Sequence, residues 1–284
     1  MAQILNGVEV VEALHEQIVS EVELLKSRGV QPTLAIVRLG ERLDDISYER
    51  GACKRAQGLG VAIRSSVLPE DATTNDLVQT IESLNSDSSV HGVLMFHPFP
   101  RQIDEERVRD TLMPAKDVDG STHLSLAGVF TDSSIGYAPC TAQACMEILK
   151  HYAIELKGKK VVVIGRSLVV GKPVAMMLLA EHATVTIAHS QTRDLPNLVK
   201  EADLVVACVG RAQMIDSRYL SPDQVVIDVG INFTDDGSPV GDVAFEEARE
   251  VVGALSPVPG GVGSVTTSVL MKHVVQAATF LSSE

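Results

Sequence analysis

A short turn rich in small residues, lying between two apolar segments, carries the strongest chemical signal in the chain. Residues 165–171 read Gly-Arg-Ser-Leu-Val-Val-Gly, after the valine-rich segment 159–164 and before the apolar segment 174–179. Such a strand-to-helix turn lets the backbone approach a phosphate, whose charge the helix N–H groups and dipole stabilise. The turn predicts a dinucleotide site. Because the spacing is G-x-S-x-x-x-G rather than G-x-G-x-x-G, the alternative is an ordinary tight turn of an α/β protein.

The end of the next predicted strand indicates which dinucleotide would bind. NAD sites usually place Asp or Glu there, roughly 20 residues after the glycine turn, to accept from the ribose 2′-hydroxyl. Here the strand 184–188 is followed by His-Ser-Gln-Thr, which contains no acid. Arg166 and Ser190 can instead converge on a 2′-phosphate, through a charge-assisted hydrogen bond and a hydroxyl. The sequence therefore favours NADP over NAD as the cofactor.

Charge and composition restrict the partners. A formal net charge of −13 over 284 residues argues against nucleic acid and anionic membranes. The four cysteines have neither C-x-x-C spacing nor a metal-site spacing with histidine, which predicts reduced thiols and no metal site. The first residues do not resemble a signal peptide, and no segment reaches the roughly 18 apolar residues of a membrane span. A cytoplasmic location is expected.

The spacing of apolar residues predicts an α/β protein with parallel sheets. The first half of the chain alternates helices and strands, with helices at 8–26, from Asp44 or Asp45 to Gly60, and at 75–84, and strands at 32–39, 61–68 and 90–96. This βαβαβ order requires a parallel sheet with right-handed crossovers.

The second half resumes the same alternation after a stretch, 98–139, that is predicted to be irregular. A helix is expected at 141–151, and strands are expected at 160–164, 184–188, 203–209 and 225–229. Residues 233–238 have the composition of a hairpin turn, which predicts an antiparallel addition to this second sheet between Ile231 and Val240. The chain is therefore expected to form two α/β domains.

Six motifs in order resemble the methylenetetrahydrofolate dehydrogenase/cyclohydrolase (FolD) family. They are Lys-Asp-Val-Asp-Gly at 116–120, Pro-Cys-Thr at 139–141, the turn and its flanks at 163–173, Val-Ile-Asp-Val-Gly-Ile-Asn at 226–232, Gly-Asp-Val at 241–243 and Pro-Val-Pro-Gly-Gly-Val-Gly at 257–263. The resemblance implies a folate-binding catalytic domain over 1–138 and a Rossmann-like NADP-binding domain over 139–265. It also implies a C-terminal helix, 266–284, packed on the first domain, a cleft between the domains, and a homodimer acting on tetrahydrofolate derivatives.

The resemblance also implies which residues form the sites. Those expected at the cofactor are Gly165, Arg166, Ser167, Val170, Gly171, His189, Ser190 and Ile231. Those expected at the folate are Tyr48, Phe96, His97, Asp119, Pro259, Gly260 and Gly261. Tyr48 and Asp119 are the predicted catalytic residues, with Tyr48 stacking on the folate rings and Asp119 accepting from the donor edge of the pterin.

Several of these residues also have simpler interpretations. Tyr48 can be a helix residue that covers the core, and Asp119 can cap a turn. Lys116 is expected to be a solvated charge, while Cys140 and Thr141 are expected to cap the following helix. The glycines at 260, 261 and 263 are expected to form a loop with positive φ.

The first domain departs from the family pattern at two positions. The family has Tyr-x-x-x-Lys, but Ala52 stands four residues after Tyr48. Lys54 is a poor substitute because it lies about 200° around the helix axis from Ala52. The family's Gln-Leu-Pro-x-Pro reads Phe96-His97-Pro98-Phe99-Pro100, so the glutamine that partners the lysine is also replaced.

These losses affect the family's two reactions differently. Hydride loss from the folate methylene bridge is driven by the neighbouring nitrogen lone pair, so positioning, worth up to ~7–11 kcal/mol, is the main requirement. Hydrolysis of the methenyl product needs an acid/base that typically contributes roughly 10²–10⁴-fold. We therefore expect a 5,10-methylenetetrahydrofolate dehydrogenase of doubtful cyclohydrolase activity. The alternatives are a full bifunctional enzyme, in which His97 or water rescues hydrolysis, and a catalytically silent folate- or nucleotide-binding protein.

Overall fold

The computed structural model describes residues 1–283, which divide into two compact α/β units. The first unit consists of Ala13–Cys140 and the segment from Thr267 onward, and the second consists of Met1–Glu12 and Thr141–Thr266. Each unit contains its own parallel sheet and its own apolar core. The prediction of two parallel-sheet α/β domains is confirmed.

The α-helices of the described residues are, in chain order, α1 (Gly7–Ser27), α2 (Leu43–Leu59), α3 (Thr74–Ser86), α4 (Glu105–Thr111), α5 (His123–Thr131), α6 (Cys140–His151), α7 (Gly171–Ala180), α8 (Leu195–Lys200), α9 (Phe245–Ala248) and α10 (Val262–Leu281). The strands are β1 (Gln3–Ile4), β2 (Thr33–Leu39), β3 (Ala62–Leu68), β4 (Gly92–Met95), β5 (Lys160–Ile164), β6 (Thr184–Ala188), β7 (Leu204–Ala207), β8 (Val225–Asp228), β9 (Asn232–Phe233), β10 (Pro239–Val240) and β11 (Ala254–Leu255). None of these helices is both long and apolar enough to cross a bilayer.

The first unit is built on a three-stranded parallel sheet in the order β3-β2-β4. The central strand, β2, is a nearly continuous apolar run because it is buried on both faces, as strands of parallel sheets usually are. Helix α2 begins after Arg42, whose side chain makes no capping hydrogen bond, so the predicted cap at Asp44 or Asp45 is wrong. Both aspartates instead lie in the first turn, where carboxylates interact favourably with the helix dipole.

The stretch 98–139 is not irregular, as the sequence had indicated, because it contains α4, α5 and a 3-10 turn at Pro114–Lys116. Each helix has a side-chain cap at its start. Asp104 accepts from the Arg107 amide before α4, and Thr122 accepts from the Ser125 amide before α5. The helices are only 7 and 9 residues long, too short for a clear apolar periodicity.

The second unit is built on a six-stranded parallel sheet in the order β1-β11-β8-β7-β5-β6. Strand β1 pairs with β11, which places residues 1–12 in this unit, whereas the sequence boundaries had assigned them to the first domain. The two strands have two residues each, too few for any sequence pattern to reveal. The predicted hairpin forms, but β9 and β10 make a separate two-stranded antiparallel sheet, so its expected addition to the large sheet is wrong.

Candidate active site

The turn between β5 and α7 is shaped by two glycines that nothing larger could replace. Gly165 has φ +135°, and a Cβ there would lie 2.3 Å from the carbonyl oxygen of Cys208. A Cβ on Gly171 would lie 2.4 Å from the carbonyl oxygen of Gly165. The Ser167 hydroxyl accepts from the amides of Val170, at 3.1 Å, and Gly171, at 3.4 Å, which closes the turn onto the helix. The backbone is thus exposed where a pyrophosphate would approach the start of α7.

Polar side chains suited to an anion surround this turn. Arg166 is exposed, and among residues 1–283 its guanidinium has no ion-pair partner. After β6, Ser190 is exposed. His189 accepts from the Gln191 amide through Nδ1, at 3.2 Å, so its neutral ring carries the proton on Nε2 and can donate from there. This set fits a phosphate better than a ribose hydroxyl.

The first acid after β6 is Asp194, and it serves another purpose. Its carboxylate accepts from the Asn197 side chain at 2.8 Å, at the start of α8. Asp194 stands six residues after the end of β6, so no carboxylate lies directly at that strand end, where NAD sites usually place one.

A pocket of about 250 Å³ lies in the second unit and is lined by residues from two of the predicted motifs, among them Gly230, Ile231, Pro259, Gly260 and Gly261. Only Gly260 of the three loop glycines has positive φ, at 97°, so that expectation is wrong for the other two. A Cβ on Gly261 would lie 2.3 Å from the Pro257 carbonyl oxygen, and one on Gly263 would lie 3.3 Å from Ile231. Close packing against the backbone therefore requires glycine at 261, whereas a Cβ at 263 would meet only the end of the flexible Ile231 side chain.

Two buried aspartates that the sequence analysis did not single out support the loops at this pocket. Asp228 accepts from the amides of Gly230, Asp242 and Val243, each at 3.0 Å. Asp242 accepts from the amides of residues 209–211 and from the Asn232 side chain. Burial raises the pKa of Asp228 to about 7 despite these hydrogen bonds. The motifs 226–232 and 241–243 are therefore coupled through their aspartates, a contact that sequence spacing alone does not reveal.

In the first unit, Tyr48 and Phe96 come together beside the position of the missing lysine. Tyr48 lies on α2 with 42% of its surface exposed, and the Phe96 ring meets it edge-on, with 5.6 Å between centroids and 77° between planes. Ala52, one turn further along α2, is 1% exposed. Lys54 is exposed to solvent, as its helical position predicts. Positions 52 and 96 therefore place neither an amino group nor an amide next to Tyr48.

His97, which follows Phe96, is half-buried, and its ring contacts α4. Its Nδ1 lies 3.3 Å from the Glu105 carboxylate, which also pairs with Arg109, and its ring packs against Phe99 at 4.4 Å. Both ring nitrogens are shielded from solvent. Burial lowers the pKa of His97, although Glu105 partly opposes this shift. A shielded, neutral imidazole does not suit the role of replacement acid/base for hydrolysis.

Asp119 and Asp117 have separate tasks. Asp117 holds the turn, because its carboxylate accepts from the amides of Ser121, at 3.0 Å, and Thr122, at 2.8 Å. Asp119 instead hydrogen-bonds the thiol of Cys140, and its pKa is raised to about 7 by burial and by Asp117. The turn-capping role, which was the simpler interpretation of Asp119, therefore belongs to Asp117.

The charge of Asp119 contributes to the raised pKa values of two neighbours, Tyr48 and Cys140. The pKa of Tyr48 is raised by desolvation and then by the charge of Asp119, so the phenol stays protonated at neutral pH. Burial raises the pKa of Cys140 well above its ordinary value, again with a contribution from Asp119. The Cys140 thiol lies 3.3 Å from the Val118 carbonyl oxygen, so it contacts the Asp119 segment and does not cap α6 as expected.

Lys116 is not the solvated charge that the sequence suggested. It is 3% exposed, and its Nζ donates to the carbonyl oxygens of Leu84, Asn85 and Asp87 at 2.9, 2.8 and 2.7 Å. It thereby caps the carboxyl end of α3, where a cation is favoured by the helix dipole. The partners lie about 30 residues earlier in the chain, which is why the local sequence did not indicate them.

Comparisons with known proteins agree with these motifs. Residues 5–119 match the catalytic domain of the tetrahydrofolate dehydrogenase/cyclohydrolase family, and residues 139–281 match its NAD(P)-binding domain. The bifunctional protein FolD of Clostridioides difficile (strain 630) is 47% identical over 275 residues, which cover 97% of this chain and 96% of that protein.

Solved structures show the same relationship. The crystal structure of the bifunctional enzyme FolD from Campylobacter jejuni has a TM-score of 0.96 at 34% identity, with 99% of each chain covered. The FolD of Trypanosoma brucei, complexed with an NADP cofactor and an inhibitor, has a TM-score of 0.91 at 33% identity, with 98% of each chain covered. The present chain belongs to the tetrahydrofolate dehydrogenase/cyclohydrolase family, and its segment 139–281 is the NAD(P)-binding domain of that family.

Proposed function

We propose that this protein oxidises 5,10-methylenetetrahydrofolate to 5,10-methenyltetrahydrofolate with NADP and releases the methenyl product without hydrolysing it. One feature supports this assignment above the others: the positions of the family's lysine and glutamine hold Ala52 and Phe96, which present only carbon atoms beside Tyr48. The dehydrogenase reaction does not require those two polar groups, whereas the hydrolysis does.

The folate residues retained in the first unit suit the dehydrogenase reaction. The half-exposed ring of Tyr48 can stack on the aromatic part of the folate. Asp119, when ionised, can accept hydrogen bonds from the amino and ring N–H groups of the pterin. NADP, when bound, accepts the hydride. The protein's contribution is to hold the methylene bridge in position, because the adjacent nitrogen lone pair drives hydride loss.

No described side chain near Tyr48 replaces the missing acid/base. Tyr48 stays protonated at neutral pH, Lys54 faces solvent, and the nitrogens of His97 are shielded against α4. Asp119 has a pKa near 7, but in its proposed role both of its oxygens face the donor edge of the pterin and not the methenyl carbon that water attacks. Water would therefore attack the methenyl cation without catalytic help.

The anion-binding set of the second unit supports NADP over NAD. Arg166 offers an unpaired guanidinium, and Ser190 offers an exposed hydroxyl after β6. The residues directly after β6 include no acid, and the first one, Asp194, comes six residues after the strand and bonds the Asn197 side chain. We assign Arg166, Ser190 and the Nε2 of His189 to the 2′-phosphate, and the turn from Gly165 to Gly171 to the pyrophosphate.

A homodimer is also part of the proposal. Phe233, in β9, is 70% exposed, and a second copy of the chain would cover this aromatic surface. Sedimentation velocity should give the mass of two chains, and Phe233→Glu should shift the population toward one chain. A monomer at micromolar concentration would contradict this assignment.

One assay separates the proposed function from its alternatives. The protein is mixed with methylenetetrahydrofolate and either NADP or NAD, and reduced nucleotide and methenyl-folate are followed together. We expect faster turnover with NADP and a methenyl product that decays at the rate measured in buffer. Faster decay would indicate the full bifunctional enzyme. Tight binding of folate and nucleotide without turnover would indicate a silent binding protein.

A further inference from the structure

Beside Asp119 lies a buried histidine that none of the sequence motifs includes. We infer that His273 is a positioning residue for the folate site, because its Nδ1–H holds the Val118 carbonyl, directly before Asp119, and competes with the Cys140 thiol for that acceptor, which favours donation of the thiol proton to Asp119. This inference rests on the proposed role of Asp119 as the carboxylate that binds the pterin.

The position and protonation of His273 are well defined. It lies on α10, is 4% exposed, and its Nδ1 is 2.8 Å from the Val118 carbonyl oxygen. Because a carbonyl oxygen can only accept, Nδ1 must carry the proton. The Tyr137 ring lies against the imidazole, with 5.0 Å between centroids and 33° between planes, and restricts rotation of the ring.

Two acceptors compete for the single proton of the Cys140 thiol. The thiol donates to the Val118 carbonyl oxygen at 3.3 Å, and its sulfur lies 3.8 Å from the Nδ1 of His273. The Asp119 carboxyl is the second acceptor within its reach. An S–H is a weak donor and can serve one acceptor well. The imidazole N–H of His273 is a stronger donor at a shorter distance, so it weakens the bond from the thiol to the Val118 carbonyl, which accepts from both. The thiol proton is then available to Asp119.

Asp119 depends on that proton because few other groups stabilise its carboxylate. It is desolvated, the charge of Asp117 opposes its ionisation, and the Tyr48 phenol next to it is neutral. The hydrogen bond from Cys140 favours the ionised form and fixes the rotation of the carboxyl group. A carboxyl that rotates freely would present its two oxygens to the pterin edge in the wrong plane. The loss of His273 should therefore weaken folate binding without touching the nucleotide.

The test compares two amides at one position. His273→Asn keeps a donor nitrogen close to the place of Nδ1, whereas His273→Gln moves its donor toward the place of Nε2. We expect His273→Gln to raise the KM for methylenetetrahydrofolate about three- to tenfold, the equivalent of one hydrogen bond, with kcat and the KM for NADP unchanged. His273→Asn should stay close to the unmodified protein. His91→Gln, at a buried histidine that accepts from the Thr33 amide, is the control for lost stability.

A double-mutant cycle tests the route through the thiol. With Cys140→Ala in place, His273→Gln should cause no further rise in the folate KM. An undiminished effect in that background, equal effects of the two amides, or a loss of kcat alone would overturn the inference. Nitrogen NMR of labelled histidine in the unmodified protein gives a reading that needs no variant: His273 protonated on Nε2 alone would also overturn it. Asp119→Asn tests the proposed function separately from the role of His273. An unchanged folate KM in the Asp119→Asn variant would contradict the proposed function itself.

Discussion

Installing the two missing polar groups together should create a measurable methenyl-folate hydrolase. The change is Ala52→Lys with Phe96→Gln, at a buried position one helical turn from Tyr48 and at the ring that contacts it. The paired lysine and glutamine would form a positioned acid/base of the kind that typically contributes roughly 10²–10⁴-fold. We expect hydrolysis within that range above the buffer rate, and below its upper end because neighbouring side chains have adapted to an apolar pair.

Each single substitution should raise the rate of methenyl-folate hydrolysis much less than the pair does, because of how Ala52 and Phe96 are packed. Ala52 is 1% exposed, so Ala52→Lys alone would place an ammonium beside the Phe96 ring without a hydrogen-bond acceptor. The amide oxygen of a glutamine would supply that acceptor, and a hydrogen bond to a charged group is worth about 1.5–3 kcal/mol. The unfolding free energies should therefore show a coupling of about that size between the two substitutions.

The assay is the decay of methenyl-folate at fixed pH, with NADP-dependent dehydrogenase activity measured on the same preparation to count working sites. Ala52→Met with Phe96→Gln is the matched control, because methionine has similar length and no charge. The reasoning is refuted if the lysine pair hydrolyses no faster than the methionine pair while both retain dehydrogenase activity.

Three further predictions concern separate residues. Arg166→Ala should weaken NADP more than NAD by about 1.5–3 kcal/mol, as measured by nucleotide titration, and equal weakening would exclude its contact with the 2′-phosphate. Because Asp119 must be ionised to accept from the pterin and its pKa is about 7, folate affinity should rise with pH through 7 and level off above it. Asp119→Asn should abolish productive folate binding, and unchanged turnover in that variant would make Asp119 a structural residue. Lys116→Met should lower the unfolding free energy measured in urea by about 3 kcal/mol, because three carbonyl groups at the end of α3 lose their donor. Lys157→Met, at an exposed lysine, should change the unfolding free energy by less than about 0.5 kcal/mol. A similarly small effect of both substitutions would contradict the capping role of Lys116.

What the sequence could predict depended on whether the signal was local. The strands and helices of both βα alternations carry their own apolar periodicity, and the turn from Gly165 to Gly171 is a local pattern of small residues. Helices α4 and α5 were missed because they are short and their periodicity is weak. The pairing of β1 with β11 joins residues about 250 positions apart, and no local pattern encodes it.

The polar residues of the site show the same limit. Asp117 and Asp119 share one motif, and only the contacts with Ser121 and Thr122 reveal that Asp117 holds the turn. The sequence around Lys116 does not indicate its burial, because the three carbonyl groups that it bonds lie about 30 residues earlier in the chain. By contrast, the losses at positions 52 and 96 were visible in the sequence because the family pattern defines what should stand there.

The most direct test of the central claim uses the unmodified protein. Methenyl-folate is added at a known concentration, and its decay is followed with a large amount of the protein and in buffer alone, after the same preparation has been shown to reduce NADP with methylenetetrahydrofolate. We predict that the two decay rates agree within the error of the measurement. Decay that accelerates in proportion to protein concentration would contradict the account and would show that hydrolysis survives without the lysine and the glutamine.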